Sequence, residues 1–300
     1  MGKAPYQDVW RDGKLVKKGR RDCAGRFDTI TAALKPFAPA SVADIGGWDG
    51  YFARRFHEAG LTATIVERRN VPDLGGIAHV QIDIDADNIN ELWRHDAMLA
   101  LAVLHHLPDW EDVYARLRAM CDVLVVEPAV PAEASPERPQ SPTLIETGPR
   151  IGPVHDRVLA DGDAIGTTSG PNDIDRPLVL IRNTWDGEVE DGSGLAAPYM
   201  ENVDEGHWEP LGYQPHPGTL NLKVGQSGKR WTGNLPGAVD RSTEKLPGPY
   251  WPVTLCSEAG EVDGHVRHSR ARTAVECVAP VNLRDELGVA NGDTVTLRVR

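Results

Sequence analysis

The sequence has 300 residues, 40% of them hydrophobic, and its 30 glycines and 23 prolines are too few for a low-complexity chain, so we expect about two folded domains. A formal net charge of −12 disfavours binding to nucleic acid or to an anionic membrane surface. The four cysteines are too widely spaced for a disulfide framework or a zinc site, and the longest apolar run, residues 97–104, is too short to cross a membrane, so we expect a cytoplasmic protein with reduced thiols.

Residues 1–25 form a basic N-terminal arm. The first 21 residues contain seven lysines and arginines against Asp8 and Asp12, with almost no apolar periodicity. This composition predicts a solvated, partly mobile arm or, alternatively, a segment that contacts an anionic substrate or partner.

Residues 26–183 alternate between strand and helix patterns. Strands are predicted at 42–46, 62–67, 78–83, 97–104 and 123–126, and helices at 51–59, 88–94 and 109–120. Strands that alternate with helices at this spacing require parallel crossovers, so we predict an α/β domain with a doubly wound, Rossmann-like sheet. Such sheets bind ligands at the carboxyl ends of their strands.

The loop after the first of these strands has the chemistry of a nucleoside site. The glycines of residues 46–50 allow the backbone to approach a ligand closely, and Glu67, which ends the next strand, can accept two hydrogen bonds from a ribose diol. Trp48 replaces the second glycine of the dinucleotide fingerprint, which disfavours a nicotinamide cofactor. Asp44 is either a ligand contact or a residue that only holds the turn, and Asp83 and Asp85 are alternative acidic contacts.

Five segments resemble class I S-adenosylmethionine-dependent methyltransferases, namely 42–53, 65–67, 81–83, 101–108 and 123–128. The resemblance implies S-adenosylmethionine as the cofactor, with its methionine portion near Asp44 and the glycine loop, its ribose on Glu67 and its adenine amine near Asp83. The implied cofactor contacts are Asp44, Gly46, Gly47, Trp48, Asp49, Gly50, Glu67, Asp83 and Leu101. His105 and His106 lie where a general base could act, or they are polar contacts behind the site, and no catalytic residue is assigned.

Residues 128–153 contain seven prolines, too many for a helix or a central strand. The segment is either a linker or, as we prefer, an insertion that covers the methyl acceptor. The insertion is preferred because residues 163–182, with two apolar runs around a turn-rich centre, resemble the last strand hairpin of small-molecule methyltransferases.

Residues 184–300 do not alternate between strand and helix patterns, and their short apolar runs predict a small β-barrel. Strands are predicted at 185–190, 219–224, 253–256, 262–267, 275–279 and 294–298, with one short helix at 281–287. Residues 211–222 and 276–293 resemble the archaeal CTP-dependent riboflavin kinases, which implies a cradle-loop barrel, a flavin substrate, CTP and Mg²⁺.

Carried over by position, the resemblance places Mg²⁺ on Thr219 and Asn221 and the flavin on His268 and Glu276. The implied CTP contacts are Gly187, Gly192, Gly194, Val281, Asn282, Leu283 and Arg284. From the residues alone, Thr219 and Asn221 could be a strand threonine and a turn asparagine, and Arg284 could lie on a solvated face.

These features predict a bifunctional enzyme that methylates an unidentified small molecule and phosphorylates riboflavin, or a related flavin, to FMN. The glycine-rich stretch of the riboflavin kinase family is replaced in this sequence by Leu195-Ala-Ala-Pro198. An alternative is therefore a methyltransferase whose barrel binds a nucleotide or flavin without turnover.

Overall fold

The computed structural model describes residues 5–71, 74–84, 89, 92–134, 142–169, 174–192, 196–201, 205–225, 249–269 and 273–300. The chain forms two compact units, Met1–Arg182 and Asn183–Arg300.

The first unit contains a seven-stranded sheet with helices on both faces. The unit has seven strands in this sheet and two in a separate hairpin. In chain order they are β1 (Val9–Arg11) and β2 (Lys14–Lys17) of the hairpin, and β3 (Ser41–Ile45), β4 (Thr62–Val66), β5 (Ala78–Val80), β6 (His95–Leu101), β7 (Cys121–Glu127), β8 (Asp163–Ser169) and β9 (Asp175–Arg182) of the sheet. Its helices are α1 (Cys23–Leu34), α2 (Tyr51–Glu58), α3 (Trp110–Ala119) and α4 (Pro142–Asp161), with short 3-10 helices at Lys35–Phe37, Leu104–His106 and Pro131–Ala134.

The main sheet has the order β5-β4-β3-β6-β7-β9-β8. Strands β3 to β7 pair in parallel, β9 is antiparallel to β7, and β8 is antiparallel to β9. The order reverses between β3 and β6, so the crevice for a ligand lies at the carboxyl ends of these two strands. This topology confirms the doubly wound α/β prediction and places residues 163–182 in the sheet as its last hairpin.

Buried apolar strands hold the helices on both faces of the sheet. Phe27 of α1 and Phe52 of α2 pack on one face, and Val113 of α3 and Val154 of α4 pack on the other. Strands covered on both sides consist largely of apolar residues, which is why β6 and β7 were predictable from the sequence.

The described part of the basic N-terminal segment is ordered, although residues 11–18 are exposed to solvent. Strands β1 and β2 form a hairpin. Trp10 packs edge-on against Tyr51 at 5.9 Å and donates a hydrogen bond from Nε1 to Glu58. Arg21 is only 2% exposed because it pairs with a buried carboxylate. Aromatic packing and a buried ion pair therefore hold this segment to the sheet domain.

The proline-rich segment contains a helix, which corrects the expectation that its prolines exclude one. Helix α4 begins at Pro142 and includes Pro149 and Pro153. Both internal prolines are exposed, whereas Val154 and Val158 are buried. Because the prolines lie on the solvent side, water can satisfy the carbonyl groups that they leave without a donor. Residues 135–141 lie outside the described residues.

Of the short helix predicted at 88–94, the structure describes residue 89, which has a 3-10 helical conformation, and residues 92–94. Residues 88, 90 and 91 lie outside the described residues, and residues 92–94 are not helical.

The second unit is a closed antiparallel barrel, as predicted. Its strands are β10 (Thr184–Glu190), β11 (Leu220–Lys223), β12 (Trp251–Cys256), β13 (Glu261–His268), β14 (Ala274–Val278) and β15 (Thr294–Val299), in the order β10-β11-β14-β13-β12-β15. The helices α5 (Ala196–Glu201) and α6 (Leu283–Leu287) and a 3-10 helix at Glu205–Leu211 accompany the barrel.

Alternate residues of the barrel strands point inward to the core. Leu220, Leu222, Val275 and Cys277 belong to the main apolar cluster of the barrel. Val278, on the outer face of β14, instead packs in a second cluster with Met200, Trp208, Leu211 and Tyr250. The outer face of β14 is therefore covered by the chain between β10 and β11.

Candidate functional sites

The glycine loop connects β3 to α2 and is held to the neighbouring strand. Gly46, Trp48 and Gly50 have positive φ angles of 67°, 54° and 76°. The N–H groups of Gly46 and Gly47 donate to the last carbonyl oxygen of β4, at 2.8 and 3.3 Å. A Cβ atom on Gly47 would lie 2.8 Å from Oδ2 of Asp44. The loop therefore passes too close to Asp44 to carry a side chain at position 47.

Glu67 lies directly after β4, and its buried carboxylate already accepts three hydrogen bonds. Oε2 accepts one from the Trp48 N–H at 3.0 Å, and Oε1 accepts two from Arg69, from its N–H at 3.2 Å and from Nε at 3.3 Å. The Arg69 guanidinium also lies 3.7 Å from the centroid of the Trp48 ring. Because a carboxylate has about four acceptor positions, one position on Oε2 remains for a ribose hydroxyl.

Asp44, near the end of β3, is buried and incompletely paired. Its Oδ2 atom has no hydrogen-bond partner among the residues that the model describes. Burial raises the pKa of Asp44 to about 7, although the Ala53 N–H at the start of α2 and Arg26 both act to lower it. A desolvated carboxyl group with a free oxygen beside the glycine loop fits the ammonium group of the cofactor's methionine portion.

The other implied cofactor contacts lie along the same edge of the sheet. Leu101 is the last residue of β6 and is buried, Asp49 is half-buried in the glycine loop, and Asp83 is exposed three residues beyond β5. Asp85, the alternative to Asp83, lies outside the described residues. The structure therefore brings Leu101 and Asp49 to the crevice edge and leaves Asp83 in contact with solvent.

His105 and His106 follow β6 in a 3-10 helix, with their ring centroids 4.1 Å apart. Burial lowers the pKa of both imidazoles, and nearby cations, Arg176 and Arg150, lower it further. Both rings are consequently neutral at neutral pH, which is the form that accepts a proton. Nδ1 of His105 is buried without a hydrogen-bond partner in the described part of the chain.

A buried cluster of arginines and glutamates at the carboxyl end of β7 was not anticipated. Glu127, the last residue of β7, accepts hydrogen bonds from Arg21 and from Nη1 of Arg26, the latter at 2.7 Å. Arg176 of β9 pairs with Glu133, donating from Nε to Oε1 at 2.6 Å. Glu127 is fully buried, and the other four members are each less than a tenth exposed. We call these five residues the arginine cluster.

In the barrel, Thr219 and Asn221 lie at the start of β11. Nδ2 of Asn221 donates to the carbonyl and hydroxyl oxygens of Thr219, each at 3.4 Å. Oδ1 of Asn221 accepts no hydrogen bond from the described residues. A Cβ atom on Gly192 would lie less than 3.0 Å from Nδ2 of Asn221, so this backbone runs directly against the asparagine side chain.

Glu276 lies opposite Asn221 in the β11–β14 pair. Its Oε2 accepts hydrogen bonds from two nitrogens of Arg267, from Nε at 2.8 Å and from Nη2. Nη1 of Arg267 also donates to the Tyr250 hydroxyl, at 3.5 Å. Opposite residues of antiparallel strands share a face, so Asn221 and Glu276 both lie on the outer face of the barrel.

His268 and Gly187 are placed differently from the expectation. His268 lies opposite Val275 in the β13–β14 pair and packs at a tilt against Trp251, with the ring centroids 5.0 Å apart. It therefore does not share a face with Glu276. Gly187 lies within β10, where an added Cβ would meet Leu222 at 2.8 Å. Gly187 thus belongs to a packed strand and not to a loop around phosphate.

The remaining implied nucleotide contacts surround α6. Asn282 caps this helix by accepting a hydrogen bond from the Arg284 N–H at 3.1 Å. Nη2 of Arg284 donates to the Glu190 carbonyl at 3.1 Å and to Oδ1 of Asn291 at 2.8 Å. Leu283 is buried in the core and Val281 is half-buried against it. Arg284 therefore ties α6 to the end of β10, two residues before Gly192, whereas Gly194 lies outside the described residues.

The oxygens of Thr219 and Asn221 fit Mg²⁺ only when a ligand supplies negative charge. Both side chains offer neutral oxygen atoms, which Mg²⁺ accepts together with substrate phosphates and water. In the parts of the chain that can be described, no group of three or more His, Cys, Asp or Glu residues is arranged to hold a metal ion.

The same described parts contain no helix long and apolar enough to span a bilayer.

Known proteins resemble the barrel in sequence. The family model described as "CTP-dep_RFKase: Domain of unknown function DUF120" matches residues 189–299. A riboflavin kinase from Aeropyrum pernix is 33% identical over 127 residues, which are 38% of this chain and 94% of the relative. A riboflavin kinase from Pyrobaculum arsenaticum is 34% identical over 123 residues, but the match spans only 59% of that relative's length.

Solved structures resemble the fold more distantly. The bifunctional kinase-methyltransferase WbdD superposes with a TM-score of 0.44 at 16% identity, over 92% of this chain and 65% of that one. A Burkholderia thailandensis 1,6-didemethyltoxoflavin-N1-methyltransferase superposes with a TM-score of 0.35 at 18% identity, over 54% of this chain and 79% of that one. Because both scores are below 0.5, the methyltransferase-like fold of the first unit rests on its own strand order.

The Aeropyrum relative is matched over almost its whole length, and the family model matches residues 189–299, which contain most of the barrel with Thr219 and Asn221. Through this C-terminal unit, the chain belongs to the riboflavin kinase family.

Proposed function

We propose that this chain is a bifunctional enzyme. Its barrel transfers the γ-phosphoryl group of CTP to a ribityl hydroxyl of riboflavin, which yields FMN. Its first unit transfers a methyl group from S-adenosylmethionine to a small-molecule acceptor.

The observation that carries the kinase assignment is the convergence of three elements on one outer edge of the barrel. Gly192, after β10, lies against Asn221 of β11, and Glu276 of β14 lies opposite Asn221. Backbone N–H groups beside glycine can face phosphates without steric hindrance, and the oxygens of Thr219 and Asn221 would hold Mg²⁺, which neutralises phosphate charge. The chain's contribution is to position the phosphoryl donor and its acceptor.

The methyltransferase assignment is supported by Asp44 and the glycine loop. The free oxygen of Asp44 suits a cationic amine, and Glu67 retains an acceptor for a ribose hydroxyl. A sulfonium methyl group is already activated, so the protein mainly has to align the acceptor and exclude water. Burial lowers the pKa of His105 and His106, which keeps both imidazoles neutral but makes them weak bases, so we assign them contact with the acceptor and not removal of its proton.

The kinase assignment is tested by mass spectrometry of riboflavin incubated with the full chain, Mg²⁺ and either CTP or ATP. We expect a gain of one phosphate with CTP, and loss of this product in Asn221→Ala. Thr254→Ala is the matched control, because Thr254 is a barrel residue on β12 whose hydroxyl binds Asp263 at 2.8 Å instead of this site. No phosphate gain with either nucleotide would overturn the kinase assignment, and equal gain with ATP would overturn its CTP dependence.

The methyltransferase assignment is tested by calorimetric titration with S-adenosylhomocysteine. We expect Glu67→Ala to weaken binding, whereas Glu58→Ala, which removes an exposed α2 carboxylate, should not. If wild-type protein releases no binding heat, the first unit does not bind this cofactor.

A second candidate for the barrel is binding of nucleotide or flavin without turnover. It is favoured by two observations: Glu276 is already paired with Arg267, and His268 lies on another face. CTP binding without FMN formation would select this candidate.

A further inference from the structure

The arginine cluster contains buried donors that make no hydrogen bond to the residues that the structure describes. Nε and Nη1 of Arg21 and Nη1 of Arg176 are buried without a hydrogen bond to any residue in the described part of the chain. Nη1 of Arg176 lies 3.6 Å from Oε1 of Glu127, which is an ion-pair distance but too long for a hydrogen bond. Unpaired guanidinium donors in a protein interior are costly, so these three point to a missing acceptor.

The charge of the cluster also leaves room for an anion. Arg21, Arg26 and Arg176 bring three positive charges against the two carboxylates of Glu127 and Glu133. Asp44 acts on Arg26 as well, but its free oxygen lies beside the glycine loop, where we assign it to the cofactor's ammonium group. The two glutamates fix the guanidinium groups and leave one positive charge uncompensated.

The cluster lies next to the proposed cofactor crevice. Glu127 pairs in register with Leu101 at the carboxyl end of β6, and its carbonyl accepts a hydrogen bond from the Ala102 N–H at 2.9 Å. Arg150, on α4, donates to the His105 carbonyl at 3.1 Å. Unpaired arginine donors, a neutral histidine pair and the end of β6 thus occur at one edge of the sheet.

We propose that the methyl acceptor carries an anionic group, a phosphate or a carboxylate, and that Arg21 and Arg176 bind it at the carboxyl end of β7. The inference rests on the proposed methyltransferase function, and it names the class of substrate. Guanidinium groups bind both anions through paired, charge-assisted hydrogen bonds. Glu133 holds one side of Arg176 and leaves Nη1 for the ligand.

The test is the thermal unfolding of the full chain saturated with S-adenosylhomocysteine, titrated with inorganic phosphate or with acetate, with chloride as the ionic-strength control. We expect phosphate, acetate or both to raise the unfolding temperature at concentrations where chloride does not. The anion that stabilises at the lower concentration indicates whether the acceptor group is a phosphate or a carboxylate.

Substitutions at Arg176 and Glu133 test whether the anion binds at the arginine cluster. Arg176→Lys keeps the charge but loses the paired donors, so we expect about a tenfold loss of anion affinity, with affinity for S-adenosylhomocysteine unchanged. Arg118→Lys is the matched control, because Arg118 is also a buried arginine in an ion pair, with Asp161 at 3.0 Å. Glu133→Gln should raise anion affinity, because it removes a competitor for Arg176, whereas a purely structural role predicts no such gain.

The outcomes separate this inference from the proposed function. If S-adenosylhomocysteine binds but no anion stabilises the chain more than chloride does, the inference is wrong and the methyltransferase assignment stands. If anions bind and neither Arg176→Lys nor Glu133→Gln changes their affinity, the anion site lies elsewhere and the inference is again wrong. If S-adenosylhomocysteine does not bind, the methyltransferase assignment fails, and anion binding that depends on Arg176 would remain as a site without that role.

Discussion

Gly192 lies against the side chain of Asn221, with no room between them for a Cβ atom. The contact joins the backbone after β10 to the residue that we assign to Mg²⁺. We expect Gly192→Ala to displace Asn221 and to lower kcat for FMN formation by about a hundredfold, since misplacement by about 1 Å costs that much. Steady-state kinetics with CTP and riboflavin measure the loss.

Gly152→Ala is the control for this substitution. Gly152 lies in α4, and a Cβ atom there would meet nothing within 4 Å. We expect unchanged kinase activity and a change in stability below about 1 kcal/mol, because alanine favours helix but a side chain before Pro153 is sterically disfavoured in the helical conformation. Equal activity of the two variants would contradict the proposed role of the Gly192 contact.

Asp44 predicts a pH dependence of cofactor binding. Its pKa is raised to about 7, and the ligand's ammonium group requires the ionised carboxylate. Affinity for S-adenosylhomocysteine should therefore fall about tenfold for each pH unit below 7 and level off above it. Calorimetric titrations between pH 5.5 and 8 measure this slope, and Asp44→Asn should remove it. A wild-type profile that is flat in this range would show that Asp44 does not bind the ligand's cation.

The same shift has a consequence for stability in the absence of ligand. Between the ordinary pKa of 3.8 and about 7, the folded state binds a proton at Asp44 that the unfolded state has released. The contribution of Asp44 to the free energy of unfolding therefore decreases as the pH rises through this window. Comparison of urea unfolding for wild type and Asp44→Asn isolates this contribution.

Substitution of Glu127 is expected to lower the free energy of unfolding substantially. Burial raises the pKa of its carboxyl group, but Arg26, Arg21 and Arg176 outweigh burial, so the net pKa lies below the ordinary value. Glu127→Gln would leave these arginines buried without their shared counter-ion, at a cost of about 3 to 5 kcal/mol in the free energy of unfolding. Asp122→Asn, which breaks the partly exposed pair with Arg94, should cost about 0 to 1 kcal/mol. If chemical denaturation shows that Glu127→Gln and Asp122→Asn lower the free energy of unfolding by similar amounts, the buried cluster does not have the stabilising role assigned to it.

Cysteine labelling provides a simple check of the fold. Cys23, Cys121 and Cys277 carry reduced thiols that are buried in apolar cores, whereas Cys256 is half-buried. Burial also raises the pKa of Cys23 and Cys277, which lowers their thiolate fraction. A thiol reagent should label the native chain at Cys256 first and the denatured chain at all four positions. Rapid labelling of Cys277 in native protein would contradict the barrel core.

The sequence predicted the doubly wound sheet and the barrel class because both depend on local patterns. Strands β6 and β7 are continuous apolar runs, and Asp44 and Glu67 could be assigned to one crevice because each lies at the end of a parallel strand. Helix α4 was missed because its prolines were counted without knowing that they face solvent. The arginine cluster was missed because Arg21, Glu127 and Arg176 are far apart in the sequence and meet only through tertiary contacts.

Glycines illustrate the same limit. The sequence alone does not distinguish Gly187 from Gly192. In the structure, Gly187 packs against Leu222 inside a strand, whereas Gly192 lies against Asn221. The residue type shows only that the side chain is missing, whereas the fold shows whether a side chain would fit and what occupies the space.

Trp48 gives the crevice an intrinsic optical signal. Its indole is 39% exposed, stacks under the Arg69 guanidinium, and lies 5.8 Å from the Tyr6 ring. A ribose hydroxyl bound to Oε2 of Glu67, which also accepts from the Trp48 N–H, would lie next to Trp48 and so change the surroundings of this indole. Fluorescence emission can therefore follow occupancy of the crevice in real time, without a label, and Trp48→Phe identifies the part of the signal that comes from this residue.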